Sequence, residues 1–362
     1  MKEELYHRLG DVLEGISFGV KRGPEFDSLL RALFNEEEAR LAANLSALAP
    51  EPPEKVAERL GEDPVEVAQL LDRMADKGLV YCSQRNGAKW YKVIQVVPGI
   101  FELQFMRGEM NARAVELAKL FEAYFQSAHK EGRKIPLTPF ARVIPVEKTV
   151  SSGIRVFPYE TAAHYIDSAE VISVSTCYCR HEKRLLGHGC QNPLDVCLQF
   201  GAFARFLIQR GFGKQISSQE AHRILQRSRD AGLIHTSNNT RDQVDFICNC
   251  CGCCCGILQS MKSSTMPSMA ASSNYLLRVD QERCVACGEC VERCHMGALS
   301  VDIKGAQVDP NRCVGCGVCA NFCPSEALCL VGRENREEPL ENFQALVRRQ
   351  IQEKLDRAQG ES

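Results

Sequence analysis

The sequence lacks the features that would assign the chain to a membrane or to a nucleic acid. No apolar run approaches the roughly 18 residues of a membrane-spanning helix. The charged N-terminus, MKEELYHRLGDVLEG, has no apolar stretch of the kind that marks a signal peptide. The formal net charge of the 362 residues is -2, which provides no general attraction to nucleic acid or anionic lipid. We therefore expect a cytoplasmic protein with no membrane span.

A nucleotide-binding fingerprint is also lacking. The short GFG at Gly211–Gly213 has no third glycine and does not lie between a predicted strand and a predicted helix. Flavin or nicotinamide chemistry, if it is used, would therefore belong to a redox partner protein. The length allows roughly two to four domains, and the 44% hydrophobic content is enough for ordinary buried cores.

Cysteine is abundant, with 20 residues, and it falls into blocks. Eight lie between Cys284 and Cys323 and ten between Cys177 and Cys255, whereas Cys82 and Cys329 stand apart and are expected to be small buried residues. Many thiols in a reducing compartment indicate metal binding or redox work rather than disulfides. The densest stretch, FICNCCGCCCG, holds six cysteines in eleven residues, and such close neighbours cannot readily bridge one another.

Two cysteine runs with the spacing C-x2-C-x2-C-x3-C form an internal repeat, CVACGECVERC and CVGCGVCANFC. They resemble the bacterial two-cluster [4Fe-4S] ferredoxin domain over residues 274–331. In that family the fourth cysteine of each run binds the cluster of the other run. The resemblance therefore implies one cluster on Cys284, Cys287, Cys290 and Cys323, and a second on Cys313, Cys316, Cys319 and Cys294.

The repeat departs from the ferredoxin pattern at one position. Proline follows Cys323, as expected, but His295 follows Cys294. A residue other than proline restores a backbone N–H group, which could donate to cluster sulfur and raise the reduction potential of that cluster.

Ten further cysteines lie in the middle of the chain, and we predict that they bind metal: Cys177, Cys179, Cys190, Cys197, Cys248, Cys250, Cys251, Cys253, Cys254 and Cys255. They are enough for one or two further iron–sulfur clusters. A tetrahedral zinc site is the competing interpretation, because His181 and His188 are also potential zinc ligands. Alternation along a strand end would place Cys177 and Cys179 on one side. These cysteines fall into two groups, four from Cys177 to Cys197 and six from Cys248 to Cys255. We expect the two groups to share one metal assembly.

Residues 1–100 predict a helix–turn–helix followed by a β-hairpin. Asn35 is the expected N-cap of one helix, Gly61 separates two others, and LVYCS and KWYKVIQVV form the hairpin. This order resembles the winged-helix domain. The second helix, over Glu62–Lys77, carries five acidic residues against two basic ones, a net charge of -3, so repulsion from phosphates opposes docking on DNA. We expect a packing or partner-binding role and no DNA binding.

The fold class predicted for the whole chain is α+β and multidomain. A winged-helix-like domain (1–100) precedes a cysteine-rich α/β iron–sulfur domain (101–259), a linker (260–273), the ferredoxin domain (274–331) and a C-terminal helix (332–362). The middle domain is expected to contain a long helix over Phe101–Lys130, a helix that starts near Pro193 and a helix capped by Ser218. Its expected strands are VISVS, LIHTSNN and QVDFIC. The apolar stripe of the last helix is Leu340, Phe343, Val347, Ile351 and Leu355.

The order of these motifs resembles a group of poorly characterised prokaryotic multicluster iron–sulfur proteins. We predict an iron–sulfur electron-transfer protein that relays low-potential electrons between a redox partner protein and a cluster in the middle domain, as a carrier or as a subunit of a redox enzyme. One alternative is a redox-sensing winged-helix transcription regulator. Another is a reductase whose middle-domain cluster has an open iron site. The sequence identifies no catalytic residue.

Overall fold

A computed structural model describes residues 2–17, 20, 22–47, 49–130, 138–263 and 271–360. The chain forms two compact units. The first consists of Met1–Ile135, Thr176–Gly189 and Arg205–Lys214, and the second consists of Pro136–Ser175, Cys190–Ala204 and Gln215–Ser362. The division into five parts made from the sequence stays a prediction.

The chain contains both helices and strands. In chain order the helices are α1 (Lys2–Ile16), α2 (Pro24–Leu33), α3 (Glu36–Ala42), α4 (Pro53–Leu60), α5 (Pro64–Asp76), α6 (Phe101–Phe105), α7 (Ala112–Lys130), α8 (Ala162–Ser168), α9 (Tyr178–Leu185), α10 (Gly201–Gln209), α11 (Ser218–Asp230), α12 (Gly256–Ser263), α13 (Glu289–Arg293), α14 (Val318–Asn321) and α15 (Phe343–Gly360). The strands are β1 (Val80–Arg85), β2 (Ala88–Val93), β3 (Ala141–Ile144), β4 (Ile172–Thr176), β5 (Asp195–Phe200), β6 (Lys214–Ile216), β7 (Ile234–Asn238), β8 (Phe246–Cys250), β9 (Ala271–Ser272), β10 (Tyr275–Val279), β11 (Leu299–Asp302), β12 (Gly305–Val308) and β13 (Leu328–Gly332).

The first unit begins with helices whose ends follow the local sequence signals. Asn35 caps α3: its side chain accepts a hydrogen bond from the Glu38 N–H at 2.8 Å, and the Glu38 carboxylate accepts one from the Asn35 N–H at 3.0 Å. This reciprocal pair is a capping box, as the spacing predicts. Helices α4 and α5 are separated by Gly61, whose φ of +69° ends α4. Strands β1 and β2 then form the predicted antiparallel hairpin.

The expected single helix over Phe101–Lys130 is two helices. Helix α6 ends at Phe105, and α7 begins at Ala112. Gly108, between them, has φ +68°, a left-handed conformation that a continuous helix cannot contain. Asn111 then starts α7, because its side chain accepts a hydrogen bond from the Ala114 N–H at 2.8 Å. The apolar periodicity of this segment predicts one continuous helix, although Gly108 and Asn111 are signals for a helix end and a helix start.

The acidic face of α5 binds a cation from the same unit. Arg210 reaches Asp72 at 2.6 Å and Asp76 at 2.8 Å, and Lys89 of β2 reaches Asp72 at 2.8 Å. Burial opposes ionisation of Asp72, but the hydrogen bonds from Arg210 and Lys89 outweigh it and lower the pKa of Asp72 to about 2. A carboxylate with a lowered pKa stabilises the folded state at any pH above its unfolded value of about 4 and loses that contribution as the pH falls towards 2.

We expect Asp72→Asn to lower the free energy of unfolding by about 1–2 kcal/mol at pH 7, where the contribution of Asp72 is fully present. Asp76→Asn is the matched control, because Asp76 contacts the same Arg210 but its side chain is 59% exposed. The single tryptophan, Trp90, lies on β2, so its fluorescence during urea unfolding reports on this unit. Equal effects of the two substitutions on the free energy of unfolding would contradict the assignment of this stabilisation to the Asp72 carboxylate.

The second unit is built around a seven-stranded mixed sheet with strand order β6-β4-β5-β8-β7-β3-β9. Strands β5, β8 and β7 are antiparallel neighbours, with Leu198 opposite Ile247 and Thr236 opposite Cys248. Strands β4, β7 and β8 agree with the strands expected from VISVS, LIHTSNN and QVDFIC. Helix α11 begins at Ser218, but its N-cap is Ser217, whose hydroxyl accepts from the Glu220 N–H.

The prediction that a helix starts near Pro193 is wrong. Residues Asp195–Phe200 form the strand β5, and the helix α10 starts only at Gly201. Every residue of β5 from Val196 to Phe200 is buried, so both faces of this interior strand are covered. An apolar run without alternation fits a doubly covered strand as well as a buried helix. Gly201 has φ +58°, which allows the sharp change from strand to helix.

The ferredoxin repeat folds as two related halves. Strand β10 pairs with β13, and β11 pairs with β12, both antiparallel. Each half therefore contributes a strand, a cysteine loop, a short helix and a second strand. Gly305 has φ +112°, and a Cβ atom there would lie 2.6 Å from Gln281 Oε1 and 3.1 Å from Cys284 Sγ. This close approach requires glycine beside the cysteine loop.

Two predictions for the C-terminal half need correction. Helix α12 continues through residue 263 and so extends into the expected linker. Strand β9, at the C-terminal end of that linker, pairs with β3. Residues 264–270 of the linker lie outside the described residues. The stripe of α15 is also shifted. Leu346 is fully buried and Gln350 nearly so, and Gln350 donates to the Thr138 carbonyl at 2.9 Å, whereas Leu355 is 52% exposed.

Candidate metal centres

The first ferredoxin centre is a space of about 320 Å³, open in part to solvent, that is lined by four of the predicted ligands. Three come from the first cysteine run and one from the second: Cys284, Cys287, Cys290 and Cys323. The backbone N–H of Ala306 donates to Cys284 Sγ at 3.3 Å. Four thiols around one space, with an N–H group on one of them, are the donor set that a [4Fe-4S] cluster takes.

The second ferredoxin centre is a similar space of about 360 Å³. Its thiols come from the second run and from the last cysteine of the first: Cys313, Cys316, Cys319 and Cys294. The Ala298 N–H donates to Cys294 Sγ at 3.2 Å. Burial raises the pKa of Cys316 to about 12, so without a cation this thiol is protonated at neutral pH. A bound cluster would replace that proton, and the residues present fit it.

Eight of the ten middle cysteines lie in the second unit and form two quartets. The compact quartet consists of Cys190, Cys251, Cys253 and Cys254, whose sulfur atoms all lie within 4.8 Å of one another. Cys190 Sγ lies 3.8 Å from the sulfur atoms of both Cys251 and Cys254, and Cys253 Sγ lies 3.7 Å from Cys254 Sγ. Three of these thiols come from the turn after β8, and Cys253 is the exposed one.

The extended quartet consists of Cys197, Cys248, Cys250 and Cys255, all of them buried. The register that pairs Leu198 with Ile247 puts Cys197 of β5 opposite Cys248 of β8, and Cys250 projects to the same face of β8 as Cys248. The thiol of Cys248 contacts Cys197 and Cys250, and the Cys250 thiol also contacts Cys255. The contact with Cys197 and burial raise the pKa of Cys248 well above the usual range, and the contacts with Cys248 and Cys255, together with burial, do the same for Cys250.

Cys177 and Cys179 belong to the first unit. They do not alternate along a strand as expected: Cys177 is the N-cap of α9, and Cys179 lies in the first turn of that helix. The neighbouring His181 is buried, its Nε2 lies 2.9 Å from the Glu109 carbonyl oxygen, and burial lowers its pKa. The shared metal assembly of both cysteine groups stays a prediction.

The sequence predicts a role for the backbone N–H of His295 but none for its side chain. Its Nε2 lies 2.7 Å from the Gly232 carbonyl oxygen, to which it donates, and its Nδ1 accepts from the Gly252 N–H at 3.3 Å. Gly252 separates Cys251 from Cys253, so the imidazole joins the loop of the compact quartet to the loop of the second ferredoxin centre. The substitution of histidine for the usual proline is the signal that could have pointed to it.

Comparison with known proteins identifies the C-terminal cysteine repeat. Residues 283–327 match the family model of the 4Fe-4S dicluster domain. No curated protein and no solved structure matches the chain significantly. Within the described residues, no helix is both long enough and apolar enough to cross a membrane. The chain is therefore a mixed helix and sheet protein with a C-terminal ferredoxin-type domain, and its iron–sulfur domain and cysteine groups indicate a role in electron transfer.

Proposed function

We propose that the protein relays low-potential electrons between a redox partner protein and an iron–sulfur cluster in the sheet of the second unit. The observation that carries the proposal is a single apolar core that contains thiols of three centres. Cys290 belongs to the first ferredoxin centre, Cys313 and Cys319 to the second, and Cys248, Cys250 and Cys255 to the extended quartet.

In this proposal each ferredoxin centre binds one [4Fe-4S] cluster through the four thiols that line it. The exchange of the fourth cysteine between the halves brings the two clusters close together and lets electrons pass between them. The N–H groups of Ala306 and Ala298 stabilise the added negative charge on reduction, because they donate to ligand sulfur.

The third cluster is assigned to the extended quartet. Its thiols come from two paired strands and the following turn, so the ligands are rigidly held. The extended quartet is also more open than the compact quartet. Within the described residues, the compact quartet is the set of thiols whose sulfur atoms all lie within 4.8 Å of one another. A cubane binds each thiolate through a different iron and needs this wider spacing. Burial of all four thiols protects such a cluster from water and oxygen.

Electron uptake tests the proposal. Full-length protein, isolated without oxygen, is titrated with a one-electron viologen radical, and we expect uptake of about three electrons per chain, one for each cluster. The reduced sample should show electron paramagnetic resonance signals of reduced [4Fe-4S] clusters. Protein that takes up no electrons at low potential would exclude a relay.

We propose further that residues 26–97 form a winged-helix-like domain that serves in packing or partner binding. The support is the pair of ion pairs that Arg210 makes with Asp72 and Asp76, since they engage acidic side chains of α5 within its own unit. A recognition helix for DNA would instead present cations to phosphates.

The protein should therefore not bind DNA in a sequence-specific manner. Selection from random duplexes at moderate salt, with reduced, oxidised and metal-free protein, should enrich no motif. Enrichment of one operator sequence by any of the three forms would favour the redox-sensing regulator instead.

A further inference from the structure

The compact quartet has the geometry of a site for one metal ion. Four thiolates around a tetrahedral Zn²⁺, with Zn–S bonds of about 2.3 Å, have sulfur atoms about 3.8 Å apart. Three of the six separations, 3.8 Å from Cys190 to Cys251, 3.8 Å from Cys190 to Cys254 and 3.7 Å from Cys253 to Cys254, match that edge length, and all six lie within 4.8 Å. We propose that Cys190, Cys251, Cys253 and Cys254 bind a single Zn²⁺ ion.

The ferredoxin centres of the same chain show how differently a cluster site is arranged. Their quartets line spaces of about 320 and 360 Å³, and within the described part of the chain neither quartet has sulfur atoms that all lie within 4.8 Å of one another. In the ferredoxin runs two residues separate consecutive ligands, so the thiols can spread around a cubane. In the compact quartet Cys253 and Cys254 are adjacent in sequence and in space, which suits one shared ion.

Neighbouring amide groups contact one ligand and the backbone of the loop that carries the other three. The side-chain amide of Asn192 donates to Cys190 Sγ at 3.3 Å, and the amide of Gln259 donates to the carbonyl of Gly252. Such outer contacts orient metal ligands and offset the charge of thiolates. Cys190 enters from a separate loop, so a bound ion would tie that loop to the turn after β8.

The ion has a structural task in this arrangement. Gly252 lies between two of the ligands, and its N–H donates to His295 Nδ1. His295 follows Cys294, a thiol of the second ferredoxin centre. A zinc ion that fixes the turn therefore also fixes a loop of the electron-transfer domain, although the ion itself has no redox activity.

Metal analysis and X-ray absorption of the full-length protein, isolated without oxygen, test the site. Wild-type protein should contain about one zinc per chain, and absorption at the zinc edge should show four sulfur neighbours at about 2.3 Å. Zinc with nitrogen or oxygen neighbours, or no zinc, would overturn the proposal. This measurement needs no variant, so a folding failure cannot obscure it.

Variants locate the ion. Cys190→Ser and Cys254→Ser should each reduce zinc from about one per chain to near none and leave iron and acid-labile sulfide unchanged. Cys253→His should retain the zinc, because three cysteines and one histidine also form a tetrahedral zinc site and Cys253 is exposed. Cys287→Ser is the matched control, since it should lower iron and leave zinc. Loss of iron and sulfide with unchanged zinc in Cys190→Ser or Cys254→Ser would overturn the proposal by placing a cluster there. Zinc is counted separately from iron, so failure of this site and failure of the relay are distinguishable.

Discussion

Replacement of Cys319 by alanine should remove one ferredoxin cluster and about four iron atoms per chain. Cys319 is buried and lines the second centre with the three other thiols of that centre, and burial raises its pKa well above the usual range. The iron content, the acid-labile sulfide and the visible absorption should all fall. The magnetic interaction between two reduced neighbouring clusters should disappear from the paramagnetic resonance spectrum.

Cys329→Ala is the control for this substitution. Cys329 lies on β13 close to the same centre, but its sulfur contacts the Ser151 hydroxyl at 3.1 Å and lines neither ferredoxin space. The Cys329→Ala substitution should leave the iron content and the magnetic interaction between the clusters unchanged. Equal iron loss in both variants would indicate general unfolding and would remove the support for Cys319 as a ligand.

Cys250→Ala should abolish the third cluster and destabilise the sheet. Cys250 lies at the centre of the extended quartet, because its thiol contacts both Cys248 and Cys255. We expect iron to fall from about twelve to about eight atoms per chain, while the two ferredoxin clusters keep their spectrum. The stability loss should be several kcal/mol, because the energy of binding metal to ligands distant in sequence becomes folding energy.

Thr236→Val tests whether that loss comes from the metal or from the packing. The Thr236 hydroxyl lies 3.4 Å from Cys250 Sγ and is fully buried, so valine changes the surroundings of the thiol without removing it. The iron content of this variant should stay at its wild-type level. If Cys250→Ala retains all its iron, the extended quartet binds no cluster and the relay ends at the ferredoxin domain.

The cysteine repeat could be recognised from sequence because its ligand spacing is local. The middle cysteines could not be sorted in the same way. Cys250 and Cys251 are adjacent in the chain, yet they belong to different quartets, since the strand β8 ends between them. Cys190 lies 61 residues before Cys251 and reaches it from the loop that precedes β5, and Cys197 is placed by the pairing of β5 with β8. That register depends on the tertiary fold and not on any local pattern.

Secondary structure was predictable where end signals are strong. The capping box at Asn35, the stop at Gly61 and the hairpin that follows α5 all involve residues whose preferences act over one turn. The errors fell on apolar stretches. The segment 196–200 is buried on both faces, so its sequence has no strand period, and the left-handed Gly108 breaks an otherwise continuous helical pattern.

His235 shows how a buried polar pair escapes sequence analysis. It lies on β7, and its Nδ1 is 2.6 Å from the side-chain oxygen of Asn249. Burial lowers the pKa of His235 to about 4, so the ring is neutral. Asn249 alternates with Cys248 and Cys250 along β8 and therefore faces away from their thiols. The histidine supports the sheet behind the extended quartet and is not one of its ligands.

Counting iron and acid-labile sulfide in full-length protein isolated without oxygen tests the central claim most directly. Two ferredoxin clusters and one cluster in the extended quartet predict about twelve iron atoms and about twelve sulfides per chain. A content of eight and eight that persists after anaerobic reconstitution with iron and sulfide would contradict the third cluster and, with it, the relay into the sheet.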